Sequence, residues 1–142
     1  DRQTYLRVVR EFGSDNRTIV YVRDAALWTP EKLAILERLH RHPEHDLVTS
    51  YILRADFEEL GCVENDLEGL VNLMLSLMRD ADTVMLFRET VDGGVKGSLR
   101  TLSGNVARVG EWFPAGGGHV KAAGLYVPHT RLRPCQGGVE VV

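Results

Sequence analysis

The chain has 142 residues, is 44% hydrophobic and carries a net charge of −3, which supplies one ordinary core and leaves no room for a second. No apolar run approaches the length of a bilayer-spanning helix, and the net acidity argues against a general nucleic-acid coat. Asp1 begins the sequence with neither an apolar signal segment nor an initiator methionine, so a piece of a longer soluble protein is expected; Cys62 and Cys135, in no ligand-like spacing, suit free thiols in a reducing cytoplasm.

In chain order, Tyr5, Leu6, Val8, Val9 and Phe12 are spaced for a helix that Gly13-Ser14-Asp15-Asn16 ends, and Thr18 to Arg23 alternates as a strand. Thr29-Pro30-Glu31 predicts a helix start, with a capping hydroxyl, a proline at the first helical position, and Leu33, Leu36 and Leu39 as the buried stripe behind it. Arg38, His40, Arg41 and His42 before Pro43 read as that helix's C-terminal end, where titratable groups meet the dipole. His40, His42 and His45, with Asp46 as a loose fourth ligand, make a poor metal cluster because the proline interrupts them. Residues 1–45 are expected to form a connecting segment leading into a domain over 46–142, the whole making one compact unit.

Leu47 to Leu53 is apolar on both faces and reads as a central strand; Ala55 to Leu60 reads as a short helix closed by Gly61. Asp66 is expected to begin a longer helix, with Leu67, Leu70, Val71, Met74, Leu77 and Met78 facing the core and the methionines acting as packing. Val84 and Leu86, a turn at Asp92-Gly93-Gly94, then Val95 and Leu99 predict a β-hairpin. Asn105 caps a further helix through Val106, Val109 and Trp112; Trp112 and Phe113 either stack a base or floor the glycine run that follows. Leu125 to Val127 reads as a last strand, and the tail from Pro128 is loosely specified. The alternation predicts an α/β fold with a mixed sheet of about five strands and flanking helices.

Charge is distributed unevenly. From Glu44 to Asp92 there are 12 acids against Arg54, Arg79 and Arg88, whereas from Val95 to Cys135 Glu111 stands alone against Lys96, Arg100, Arg108, Lys121, Arg131 and Arg133. That asymmetry favours an anion in the C-terminal third. Gly116, Gly117 and Gly118 offer backbone donors that approach an anion closely, His119 aims an imidazole at it, and a helix starting near His119 would add its positive end. Arg100 supplies a planar fork for phosphate, with Ser98 two residues away on the same strand face. Ser98, Lys96 and Arg88 are secondary candidates, Arg88 also as a hairpin pair with Glu89.

Four short motifs occur in a fixed order between about Val63 and Val127, roughly half the chain: Asp66-Leu67-Glu68-Gly69-Leu70-Val71-Asn72, Phe87-Arg88-Glu89, Ser98-Leu99-Arg100-Thr101, and Gly116-Gly117-Gly118-His119 followed by Ala122-Ala123-Gly124. Together they resemble the subtype-one DHH-associated domain, the C-terminal substrate-binding half of DHH phosphoesterases, in its nanoRNase and pAp-phosphatase branch. Leu67 stands where that family usually has threonine, and Thr101 where it often has serine, so no role is carried onto Leu67. The resemblance implies that Arg100 and His119 hold substrate phosphate inside a loop formed by Gly116 to Gly118. It also implies that manganese and the hydrolytic step belong to an N-terminal DHH domain, since no Asp-His-His occurs here and no metal ligand is assigned. Expected partners are a nucleotide or short single-stranded nucleic acid, the DHH domain, and a second copy in a homodimer. The competing readings are a stand-alone single-stranded nucleic-acid-binding module, like related domains in alanyl-tRNA synthetase and RecJ-type exonucleases, and a structural oligomerisation unit.

Overall fold

The computed structural model of the chain describes residues 29–77, 81–102, 117–119 and 122–142. The elements predicted over 3–12, 18–23 and 105–112, together with Met78, Trp112, Phe113 and Gly116, lie outside the described residues.

The first helix, α1 (Pro30–Glu37), begins as its sequence dictates: Thr29 is extended and its hydroxyl accepts from the Lys32 amide at 3.4 Å, with Pro30 opening the helix. Its buried apolar residues are Ala34, Ile35 and Leu36, continued by Leu39, while Leu33 is only half-buried. The helix then stops. His40–His42 is not its C-terminal end but a short strand, β1, joined by a 3-10 turn over Pro43–His45 and left-handed Asp46 to β2 (Leu47–Ile52), with which it pairs antiparallel. Arg38, the residue at the end of the helix, is anchored to later parts of the chain. Its guanidinium grips Asp56 at 2.6 and 2.8 Å, donates to the Tyr51 carbonyl at 3.2 Å and lies 4.9 Å over the Tyr51 ring.

Asp56 belongs to α2 (Arg54–Glu59), which ends at Leu60 and left-handed Gly61 as expected. The next helix starts later than its sequence suggests. Asp66 lies in a 3-10 turn (Glu64–Leu67) where its carboxylate accepts from the Val63 amide at 2.8 Å, and Gly69, at φ +79, breaks the path before α3 (Leu70–Leu77). The expected core stripe survives this shift, because Leu67, Leu70, Val71 and Met74 are all buried.

Strands β3 (Thr83–Glu89) and β4 (Gly94–Thr101) form the predicted hairpin, and β5 (Gly117–His119) and β6 (Ala122–Pro128) complete a six-stranded mixed sheet in the order β1-β2-β3-β4-β6-β5. Among the described strands of this sheet only β2 and β3 pair in parallel, and α2, the 3-10 turn and α3 lie in the crossover between them. The tail, left open by its sequence, makes a separate hairpin of β7 (Leu132–Cys135) and β8 (Gly138–Val141). The expected α/β fold, a mixed sheet of about five strands with flanking helices, therefore holds, the sheet having six strands among the described residues.

The two sheet faces carry separate cores. Ile35, Val48, Ile52, Leu70, Met74 and Val84 lie in one cluster, formed as α1 packs on β2 and α3 on β3 and β4; Leu99, Ala123 and Leu125 form the other. Residues 30–42 thus share a core and a sheet with the residues beyond 46. Glu89 ties three units together, one carboxylate oxygen accepting from the Arg54 amide at 2.7 Å and the other from the Leu132 amide at 2.9 Å.

On the second face the β4–β6 contact is tight at Gly97, where an added Cβ would stand 2.9 Å from buried Leu125 Cγ. Gly97→Ala is accordingly expected to cost about 1–3 kcal/mol through overpacking, read as a lowered thermal midpoint. The comparison substitution Gly137→Ala, where a Cβ meets nothing within 4 Å, is expected to leave the midpoint nearly unchanged.

Candidate anion-binding site

Strand register brings the cations together. In the antiparallel β3–β4 pair Arg88 lies opposite Lys96, Leu86 opposite Ser98, and Val84 opposite Arg100, so alternation puts Arg88, Lys96, Ser98 and Arg100 on one face. That is the face α3 covers at its apolar end. Where the helix gives way to the Glu68-Gly69 turn, the sheet and the turn enclose a cavity of about 180 Å³. All four of those side chains line it from the sheet, with Glu64 and Glu68 on the opposite wall.

Arg100 is held in place without being neutralised. Its Nε donates to Asn72 Oδ1 at 3.0 Å and Nη1 to the Leu99 carbonyl at 2.8 Å, and among the described residues it forms no ion pair. A planar fork fixed at two donors and open at the rest suits a tetrahedral oxyanion. Ser98 is half-buried and Lys96 exposed; neither side chain has a hydrogen-bond partner among the described residues.

Arg88 does not pair with Glu89, as the hairpin reading expected. Adjacent strand residues point to opposite faces, so Glu89 turns to the Arg54 and Leu132 amides while Arg88 turns to Glu64, its Nη1 3.4 Å from Oε1.

The glycine run takes another form than the expected loop before a helix. Gly117–His119 is the edge strand β5, pairing Gly117 with Gly124, Gly118 with Ala123 and His119 with Ala122, and Ala122–Pro128 is the strand β6. Among the described residues no helix starts near His119. What the register does give is alignment: His119, Ala122 and Arg100 share one rung across β5, β6 and β4, and Gly117, Gly124 and Ser98 share another. Two strand spacings, about 10 Å, separate His119 from Arg100, with only alanine between them. Gly116 lies outside the described residues.

Residue-type reasoning assigned no site role to Glu64, Glu68 or Asn72. The signal for Glu68 and Asn72 was the Asp66 to Asn72 motif, which supplies part of the cavity wall and the residue that orients Arg100; Glu64 lies just before it. Among the described residues no group of three or more His, Cys, Asp or Glu side chains is placed to hold a metal ion, so these residues do not fit manganese. No helix among them is long and apolar enough to cross a membrane.

No family model matches the chain, and no curated protein matches it. Among solved structures, an exopolyphosphatase-related protein from Bacteroides fragilis has the same fold, with a TM-score of 0.60 and 22% identity over 88% of this chain. An uncharacterized protein from Helicobacter pylori G27 aligns over 86% of this chain at 18% identity and a TM-score of 0.42. The chain spans only 38% of the length of the first neighbour and 31% of the second.

Proposed function

We propose that this chain is the phosphate- and nucleotide-recognition domain of a DHH-family phosphoesterase, one that hydrolyses short oligonucleotides, pAp or related nucleotides with manganese held by a separate DHH domain. The observation that carries this reading is the grouping of Arg100, Ser98, Lys96 and Arg88 around one cavity, with Arg100 held by Asn72 and free of any carboxylate among the described residues. The fold shared with an exopolyphosphatase-related protein adds support from phosphate chemistry.

On this reading the domain's work is positioning. Arg100 holds a phosphate oxygen by charge-assisted hydrogen bonds, Ser98 adds a hydroxyl on the same face, and His119 closes on the phosphate from the rung it shares with Arg100. Hydrolysis, which needs a cluster of aspartates and histidines to bind metal and generate hydroxide, is assigned to the DHH partner.

Two outcomes test this. The isolated 142-residue chain is expected to show chemical-shift changes at Ser98, Arg100 and Asn72 amides on titration with mononucleotides, even at millimolar affinity. It is also expected to show no turnover of pAp or a short oligoribonucleotide with manganese; clear metal-dependent hydrolysis by a contaminant-free preparation would overturn the division of labour.

A further inference from the structure

Arg100 is the next-to-last residue of β4, and the ends of an element are where local opening is easiest. The rung beyond it is held by side chains. Thr101, only 2% exposed, lies opposite Thr83, and alternation turns both to the second face, with Met85 and Leu99 and away from the cavity. The Thr101 hydroxyl donates to the Asp82 carboxylate at 2.9 Å, with the Asp82 carbonyl at 3.1 Å as an alternative acceptor. Thr83 Oγ1 stands 3.2 Å from Thr101 Oγ1 and 3.3 Å from the same carboxylate oxygen, and the Leu102 amide donates to the Asp82 carbonyl at 2.9 Å. Asp82 is the residue immediately before β3, where the crossover that carries α3 rejoins the sheet. One residue thus joins the end of β4 to the exit of the segment that supplies Asn72.

We propose that Thr101 is a positioning residue for the anion site: through Asp82 it fixes the end of β4 against α3 and so aims the Arg100 guanidinium, without touching the ligand itself. This rests on the reading of Arg100 as a phosphate ligand. Arg100 spans the two units that the Asp82 contacts join, since its backbone belongs to β4 and its Nε donates to Asn72 on α3 at 3.0 Å. A slip of strand against helix would stretch that contact and turn the other guanidinium donors away from the position an oxyanion occupies. Binding groups lose affinity when their supports are loose, because a charge-assisted hydrogen bond depends on direction as well as distance. Valine would fill the space of Thr101 with nearly the same shape, so packing alone does not call for a hydroxyl there. The contact with Asp82 does, and serine would supply it equally well.

The test is an NMR titration of the whole chain with AMP, in wild type, Thr101→Val, Thr101→Ser and Arg100→Ala, with the Arg100 Nε–H resonance followed in the free proteins. Thr101→Val is expected to weaken binding about three- to tenfold, the scale of one lost hydrogen bond, and Thr101→Ser to stay within about twofold of wild type. The Arg100 Nε–H resonance is expected to move in Thr101→Val and to return in Thr101→Ser, a change that a loss of stability alone would not produce. Should Thr101→Val fail to fold, Asp82→Asn removes the charge from the same contact while keeping an acceptor, and it is expected to move the resonance and weaken binding in the same sense. Thr101→Val (or, in its place, Asp82→Asn) binding as tightly as wild type would overturn the positioning role and leave Arg100 standing as the phosphate ligand. Weakened binding with the Arg100 resonance unmoved would overturn it equally. Arg100→Ala binding AMP as tightly as wild type would instead remove the reading on which the inference rests.

Discussion

Arg100→Ala is expected to weaken nucleotide binding by about 10- to 100-fold, the loss of one charge-assisted hydrogen bond at roughly 1.5–3 kcal/mol. The fold is expected to survive, because the half-buried Arg100 makes only two hydrogen bonds, to Asn72 Oδ1 and the Leu99 carbonyl, and supports no ion pair among the described residues. Arg100→Lys should recover little of the loss, since an ammonium cannot reproduce the Asn72 contact and a forked donation together. Asn72→Ala is the informative companion. Losing the acceptor on Nε frees the guanidinium to rotate, so affinity should fall by less than in Arg100→Ala with the charge still present. His119→Ala is expected to reduce affinity as well. If nucleotide-induced shifts persisted unchanged in both Arg100→Ala and His119→Ala, the phosphate would have to sit elsewhere.

Asp56→Ala is expected to destabilise the chain by about 3–5 kcal/mol, the cost of leaving a partly buried guanidinium without its partner. The Asp56 side chain is 3% exposed, accepts from Arg38 through both oxygens, and also accepts from the Leu53 amide at 2.6 Å. Burial alone would raise its pKa, but the Arg38 and Leu53 hydrogen bonds outweigh burial and hold the carboxyl below its usual range. A depressed folded-state value means that the stabilisation is complete above the unfolded pKa of about 3.9 and is lost as the pH falls through the lower folded value. Urea midpoints measured between neutral pH and pH 3 should therefore decline in the wild type and decline less steeply in Asp56→Asn. Parallel declines in the two proteins would show that other carboxylates govern acid stability. Arg38→Met, which removes the charge from the other side, should be comparably destabilising because Asp56 is the more deeply buried partner.

What the sequence made legible is what short-range chemistry decides. Thr29-Pro30 started a helix, Gly61 ended one, and Asp92-Gly93-Gly94 turned a hairpin, each through a conformation or a cap that a few residues specify. The misses are elements made by partners distant in the chain. His40–His42 has no periodicity of its own and is a strand because β2 pairs with it; Gly117–His119 has no strand propensity and is a strand because β6 does. Asp66 has the chemistry of a helix cap and uses it on a 3-10 turn, since left-handed Gly69 postpones the helix to Leu70. The site followed the same division. Ser98 and Arg100 were placed on one face by alternation alone, whereas Arg88 could be assigned to Glu64 and away from Glu89 only once the crossover had laid its 3-10 turn above the sheet.

That crossover has a consequence for how the binding site is kept. The floor of the cavity belongs to a hairpin whose residues are close in sequence, but its wall, with Glu64, Glu68 and Gly69, belongs entirely to the segment linking the two parallel strands. Leu67, Leu70 and Val71 pin that segment to the core, so local opening is confined to the exposed turn that carries Glu64 and Glu68, which can loosen while the hairpin ladder stays paired. Amide hydrogen exchange should show this as faster exchange across residues 64–69 than across β3 and β4, with a bound anion slowing the former and leaving the latter as it was.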